Sequence, residues 1–363
     1  MPPESHSKKE MDRFAVLYSE GLQEYDLGHV LTANRYRSFI ELFRQRLGAH
    51  PAFDIVAPAP ASHRELRLIH TETYIRRIER CESKDPYDTP LSPGLVRAAK
   101  LLAGAGRFAG ELVQTGAYRK AFVVGGGVQH ANREREKGFG VFSDVGICAE
   151  NLLQNLGLER VLVVDTDAHA GDGLYEIFEH DPRVLLISIH QDPRTLYPGK
   201  GFVEEIGDGD GRGYCVNIPL PPGATQRAYE CVLSEVFIPL AREFKPEIIL
   251  MVDGADPHFT DRITRMGLTL EGIRMVGRMI GDTADEVCDG KLVDFTGSGY
   301  SYTPKVVSLG WLASISGVTG VALELIEPEP VPATLEAGSD VTAARGVVQS
   351  IRAALSSYWH CFS

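Results

Sequence analysis

Short apolar runs rich in Val, Ile and Leu alternate along most of this chain with longer stretches whose apolar residues recur every third or fourth position. The first pattern suits strands buried on both faces, and the second suits amphipathic helices. Strands are expected at 14–19, 53–57, 121–124, 161–165, 184–190, 247–252 and 292–295. Helices are expected at 34–48, 65–80, 93–115, 145–156, 173–179, 227–244, 269–288, 304–315 and 341–358. That at 65–80 has Leu66, Ile69, Tyr74, Ile75 and Ile78 as its apolar face. The Pro- and Asp-rich stretch 84–93 reads as an exposed loop, and 327–332 as a Pro/Glu-rich link. Strands alternating with helices imply βαβ units, hence a three-layer α/β/α fold on a mainly parallel central sheet.

No internal repeat or biased linker divides the 363 residues, so one domain is expected over 1–363, with 1–12 a flexible N-terminus. Apolar residues at 44% and charged residues at 24% are those of an ordinary globular protein. A net charge of −12 without any basic stripe argues against direct nucleic-acid binding. No apolar run would span a bilayer, and the polar first residues do not read as a secretion signal. The six cysteines are scattered without a paired motif, which points to a reducing compartment, so a cytoplasmic protein is expected.

Chemistry concentrates where four apolar strands end. The stretch from Leu162 reads Val-Val-Asp165-Thr-Asp167-Ala-His169-Ala-Gly-Asp172-Gly. Side chains alternate along a strand, so Asp165, Asp167 and His169 leave it on one side, at the carboxyl edge where open α/β sheets bind ligands. Two carboxylates and an imidazole suit a divalent metal, and the plainer reading is a solvated strand end with Asp172 as a helix cap. The other three ends are Gly125-Gly-Gly-Val-Gln129-His130, Val252-Asp-Gly-Ala-Asp256 and Phe295-Thr-Gly-Ser-Gly299-Tyr300.

Together the four turns resemble the zinc-dependent histone deacetylase family of the arginase–deacetylase superfamily. Gly-Gly-Val-Gln-His-Ala is similar to the family's Gly-Gly-x-His-His-Ala, and Gly138-Phe139-Gly140 to its Gly-Phe-Cys. Asp165-x-Asp-x-His169 followed by Asp172, Gly254-Ala-Asp256 followed by Asp261, and Gly-Ser-Gly-Tyr300 resemble its remaining motifs in order and approximate spacing. Tyr214-Cys-Val-Asn-Ile-Pro is similar to a rim-and-strand segment.

The resemblance implies Asp167, His169 and Asp256 as ligands of Zn2+, with Fe2+ as the alternative. It implies His130 as general base and then acid, with Asp172 on its far nitrogen, and Tyr300 as donor to the oxyanion. Gln129 and Asp165 would complete the catalytic set. Phe139, Tyr197, Ile263 and Gly299 would shape an acyl-lysine channel, and Arg35 an inner cavity. Structural K+ is implied near Asp165, Asp167, His169, Ser188 and Ile189, and a second K+ near Phe178 and Tyr214. The implied substrate is an acyl-lysine protein or a small acylated amine, and an oligomer is left open.

Three departures stand out. Gln129 replaces a histidine and cannot carry a proton near neutral pH, so activity is expected to survive on His130 with an altered rate. Ala170 replaces a histidine, and Tyr197 a phenylalanine. Gly171 and Met251 stand where the binuclear ureohydrolases want aspartates, which argues against two metals. Two alternatives remain. One is a small-molecule deacetylase of the acetylpolyamine or acetoin-utilisation type, though Ile263 is not the acidic residue that polyamine specificity implies. The other is a weakened acyl-lysine binder without turnover.

Overall fold

The computed structural model describes residues 12–336 and 341–363. The flexible terminus expected at 1–12 lies outside the described residues save for its last. Eight strands form one sheet: β1 Phe14–Leu17, β2 Phe53–Val56, β3 Lys120–Val124, β4 Val161–Asp165, β5 Val184–Gln191, β6 Cys215–Leu220, β7 Ile248–Gly254 and β8 Leu292–Ser298. Their order is β2-β1-β3-β8-β7-β4-β5-β6, and every pairing is parallel. Strands β3, β4 and β5 are buried at every residue, as expected of a parallel sheet covered on both faces by helices.

The order explains the site. Strands β3, β8, β7 and β4 are consecutive at the centre of the sheet although the chain reaches them far apart. Parallel pairing puts all four carboxyl ends on one edge. The four chemically loaded turns are therefore neighbours in space. At the end of β7 the register with β8 shifts between Asp253 and Gly254, and Gly254 comes to lie opposite Ser298.

Local differences from the expected elements have identifiable causes. The helix at 65–80 is two, His63–Leu66 and Glu72–Glu79. Between them Thr71 N–H donates to the Arg133 carbonyl (3.2 Å), and His70 Nε2 accepts from Ser143 N–H (3.0 Å). Tertiary hydrogen bonds thus interrupt a pattern whose apolar face is otherwise buried as expected. The helix at 227–244 passes through a π turn at Leu233–Phe237. Pro239, without an N–H, follows directly and spoils the regular ladder. The helix at 304–315 continues to Thr319 and stops at Gly320 in the left-handed conformation.

Candidate active site

The turn after β3 is held open by a buried acid. Gly127 and Val128 N–H groups donate to Asp144 (2.8 and 3.1 Å), the first residue of the helix Asp144–Gln154. Gly125 has φ +77°, and a Cβ there would come within 2.1 Å of the Tyr36 ring, so glycine is required. Burial, opposed by these amides, pushes the Asp144 carboxyl up to about 6. The turn delivers His130, whose Nδ1 lies 2.7 Å from Asp172 Oδ1. Asp172 begins the helix Asp172–Phe178 but does not cap it; its carboxylate meets His130 and Lys137. Burial pushes that carboxyl up, but the hydrogen bonds and charges of His130 and Lys137 outweigh it and hold the carboxyl below its usual range.

Beyond β4 each acid bends the chain that follows it. Asp165 Oδ1 accepts from Asp167 N–H (3.1 Å), and Asp167 Oδ1 from His169 N–H (2.7 Å). Asp256, delivered by β7, accepts from Ala168 N–H (3.2 Å) and Ser298 Oγ–H (2.7 Å). His169 Nδ1 then lies 3.0 Å from both Asp167 Oδ1 and Asp256 Oδ2. One ligand atom from each of Asp167, His169 and Asp256 falls within 4.8 Å of the others, and all three residues are buried. No other such group of histidines, cysteines and acids occurs among the described residues.

The electrostatics ask for positive charge at that point. Burial and then Asp167 push the Asp256 carboxyl up to about 7. Burial disfavours a charged His169, yet hydrogen bonds and charges of Asp167 and Asp256 raise the imidazole to about 10. Two buried carboxylates and one nitrogen with a lone pair to give are the donor set of a divalent-metal site with positions left for water and substrate.

Above the cluster opens a cavity of about 180 Å3, lined by His130, Gln129, Asp167 and His169 below, and by Phe139, Tyr197, Ile263 and Tyr300 around the sides. The His130 and Tyr197 rings meet edge-on with centroids 5.2 Å apart, and those of Phe139 and Tyr300 at 5.7 Å. Burial pushes the Tyr300 phenol well above its usual value of 10, so it stays a proton donor. Its backbone N–H donates to Asp261 Oδ2 (2.7 Å), while Asp261 Oδ1 accepts from Ile263 and Thr264 (2.9 and 3.2 Å). Asp261 therefore ties the loop after β7 to the loop after β8.

The family model of the histone deacetylase domain matches residues 29–318. The chain belongs to the histone deacetylase family. A probable deacetylase of Archaeoglobus fulgidus is 37% identical over 318 residues, covering 85% of this chain and 87% of that protein. The acetoin utilization protein AcuC of Bacillus subtilis is 33% identical over 312 residues, covering 81% and 79%. The crystal structure of the HDA15 HD domain superposes with a TM-score of 0.82 at 25% identity, covering 97% of each chain. These relatives support hydrolytic deacetylation as the activity.

Within this deacetylase fold, the remaining expected residues fall in distinct places. Arg35 does not line the cavity; its guanidinium lies 5.1 Å from the Tyr300 ring centre and donates to the Gly297 carbonyl (3.0 Å). Gly299 is outside the walls, and a Cβ there would come within 2.9 Å of Ala255. Asp165 lies wholly buried behind the metal-ligand candidates, within 3.4 Å of Ser188 Oγ, and Ser188 lies 2.9 Å from His190 Nδ1. Ile189 follows Ser188 in β5, and Phe178 is buried. Tyr214 packs on Trp359, with ring centres 5.3 Å apart. The Gln129 amide faces the cavity with no hydrogen-bond partner among the described residues.

Sequence reasoning passed over Asp144, Lys137 and Asp88. The loop 84–93 is not simply exposed, since Thr89 is buried and Asp88 lines the cavity mouth. Asp88 Oδ2 accepts from Phe139 N–H (3.3 Å), and the Asp88 carbonyl meets His29 Nε2 (3.0 Å). Its signal was an aspartate among turn residues, which by itself marks only a loop. Asp144 stood behind Ser143, a helix-start signal that conceals a second use.

Proposed function

We propose that the chain is a metal-dependent amidohydrolase that removes acetyl or a related short acyl group from lysine side chains of proteins. The observation that carries this reading is the convergence, around one aromatic-walled cavity, of an Asp-His-Asp cluster, a His-Asp pair and an unpartnered phenol. Asp167, His169 and Asp256 would hold the ion, Zn2+ with Fe2+ as the alternative. Such an ion polarises a carbonyl and lowers the pKa of water from about 16 toward about 7.

Asp172 holds Nδ1 of His130 in its protonated form, which leaves Nε2 free to accept. His130 takes the proton of the attacking water and returns it to the departing amine. Tyr300 donates its phenolic proton in a hydrogen bond to the carbonyl oxygen as negative charge builds there. Phe139 and Tyr197 pack the aliphatic stem of the lysine and exclude water. Potassium ions near Asp165 and Ser188, and near Phe178 and Tyr214, belong to this proposal by family resemblance, as does the supporting role of Gln129.

The second reading is a small-molecule deacetylase, because the relative AcuC is named for the utilization of acetoin, a small metabolite. Ile263 supplies no anion for a polyamine. The deciding experiment is metal analysis of the purified protein, then turnover on a panel of acyl-lysine peptides, acetylated polyamines and other small acylated amines. Acetate release with the highest kcat/KM on peptides is expected. Preference for a small amine would replace the substrate, and no release from any amide by metal-loaded protein would reject the hydrolase and leave a binder.

A further inference from the structure

We propose that Lys137 is a positioning residue for this chemistry, holding Asp172 so that His130 is set against the channel wall. The inference rests on the amidohydrolase reading above and deepens it. Lys137 begins a tight turn in which its N–H donates to the Gly140 carbonyl (3.0 Å) and Gly140 N–H donates back (2.9 Å). The two central residues, Gly138 and Phe139, both have positive φ (+54° and +68°). That is the geometry of a two-residue hairpin loop, and it is stiff.

Three consecutive side-chain positions of this turn touch the site. The Lys137 ammonium donates to Asp172 Oδ2. A Cβ on Gly138 would fall 2.3 Å from the His130 ring, so the backbone lies directly on the imidazole. Phe139 is a wall of the cavity. Lys137 Nζ also lies 5.6 Å from the ring centre of Tyr197, which lines the same cavity. One lysine thus joins the acid of the His-Asp pair to a cavity wall.

This ion pair differs from those on the surface. The Asp172 side chain is 2% exposed and that of Lys137 21%. Exposed pairs are screened and cost side-chain entropy, whereas here the backbone of the lysine is pinned and its partner is dry. The two oxygens of Asp172 are divided, Oδ1 to His130 and Oδ2 to Lys137. Without the lysine, one oxygen of a buried carboxylate loses its partner, and rotation of the carboxylate would carry the His130 hydrogen bond with it. Direct hydrogen-bond partners of functional side chains change activity by about 10–100-fold when removed, and Lys137, one contact further out, is expected at the lower end of that range.

The test measures fully metal-loaded Lys137→Met and Lys137→Arg, each alone and with Asp172→Asn, with thermal melting and metal content as controls. Lys137→Met is expected to lower kcat by about tenfold with KM within about twofold, and Lys137→Arg to recover most of the loss. In the Asp172→Asn background the same substitution should change kcat by less than about twofold, because the group it positions has lost its charge. Equal losses in both backgrounds, or an unchanged kcat, would overturn the proposal. Should Lys137→Met fail to fold, Lys137→Gln takes its place.

A second readout does not need turnover. The His130 Nδ1–H, hydrogen-bonded to Asp172, should give a downfield proton resonance that His130→Ala removes. It is expected to weaken or vanish in Lys137→Met and to persist in Lys137→Arg. A resonance unchanged in Lys137→Met, or absent from the wild type, rejects the positioning role. Wild-type protein that shows the resonance and its loss but hydrolyses no amide rejects the amidohydrolase reading and leaves the positioning intact.

Discussion

Replacing Tyr300 by Phe deletes one oxygen from the cavity and little else. The ring is held by packing: Phe139 meets it edge-on, Arg35 lies over its face, and its backbone N–H is fixed by Asp261. The hydroxyl has no hydrogen-bond partner among the described residues, so the folded state loses no internal bond and the melting temperature should hold. The metal-ligand cluster does not include the phenol, so metal content should hold as well. In the proposed mechanism, what disappears is the donor to the oxygen where charge develops. Removing one such donor costs about 10²–10³ in kcat, or roughly 3–4 kcal/mol of barrier, with KM little changed. The phenol's raised pKa adds a further expectation: the wild-type rate should show no loss from tyrosine ionisation below pH 10. The assay is acetate release from an acetyl-lysine peptide, run beside metal analysis. Turnover unchanged at full metal loading would refute the donor role. Loss of the metal would refute the assumption that the phenol stands apart from the ligands.

Other outcomes follow from the same geometry. His130→Ala should abolish turnover, whereas Gln129→His should be tolerated or beneficial because the amide has no protein partner to lose; the reverse ranking in steady-state kinetics would reassign the base. In the metal-free chain His169 is raised to about 10 by its two acids, so it is protonated at pH 7 and must release that proton to give its lone pair. Metal binding should release at least about one proton, read by calorimetry in buffers of different ionisation enthalpy, and affinity should weaken as pH falls; binding without proton release would contradict the ligand assignment. His70, buried beneath Phe142, is lowered to about 3 by burial, against about 6.5 in an unfolded chain. Between those values the unfolded state binds the extra proton, so stability falls with falling pH, by about 2 kcal/mol from pH 7 to pH 5 for this residue. Urea midpoints of wild type and His70→Gln across that range check it, and parallel slopes would refute it.

Much of this molecule is legible along the chain because a doubly covered parallel sheet writes its strands as continuous apolar runs. The run ending at Asp165 and the Thr269 cap are found where the pattern puts them. What periodicity does not carry is adjacency. Nothing in a run of Val and Leu says that β8 inserts between β3 and β7, yet that insertion brings Tyr300 to His169. The expected helix at 65–80 failed for the same reason, since the Arg133 carbonyl and the Ser143 amide that break it lie more than sixty residues downstream. Asp172 shows a third limit. The resemblance pairs it with His130, but only the fold reveals that Lys137 takes its other oxygen.

The recurrent device at this edge of the sheet is an acid that accepts from the backbone amides of a turn. Asp165 accepts from the amide of Asp167, Asp167 from that of His169, Asp144 from Gly127 and Val128, and Asp261 from Ile263, Thr264 and Tyr300. A carboxylate bonded to a backbone amide two residues on forms a turn of its own, which fixes the direction of the chain. It also stabilises the charge that burial opposes. The same bond therefore sets where the next functional side chain points and offsets part of the burial that still pushes the Asp165 carboxyl well above its usual range. That coupling explains the alternate spacing of Asp165, Asp167 and His169 better than strand geometry does, because the strand has already ended at Asp165. It also means that the donor set and the path of the backbone cannot vary independently.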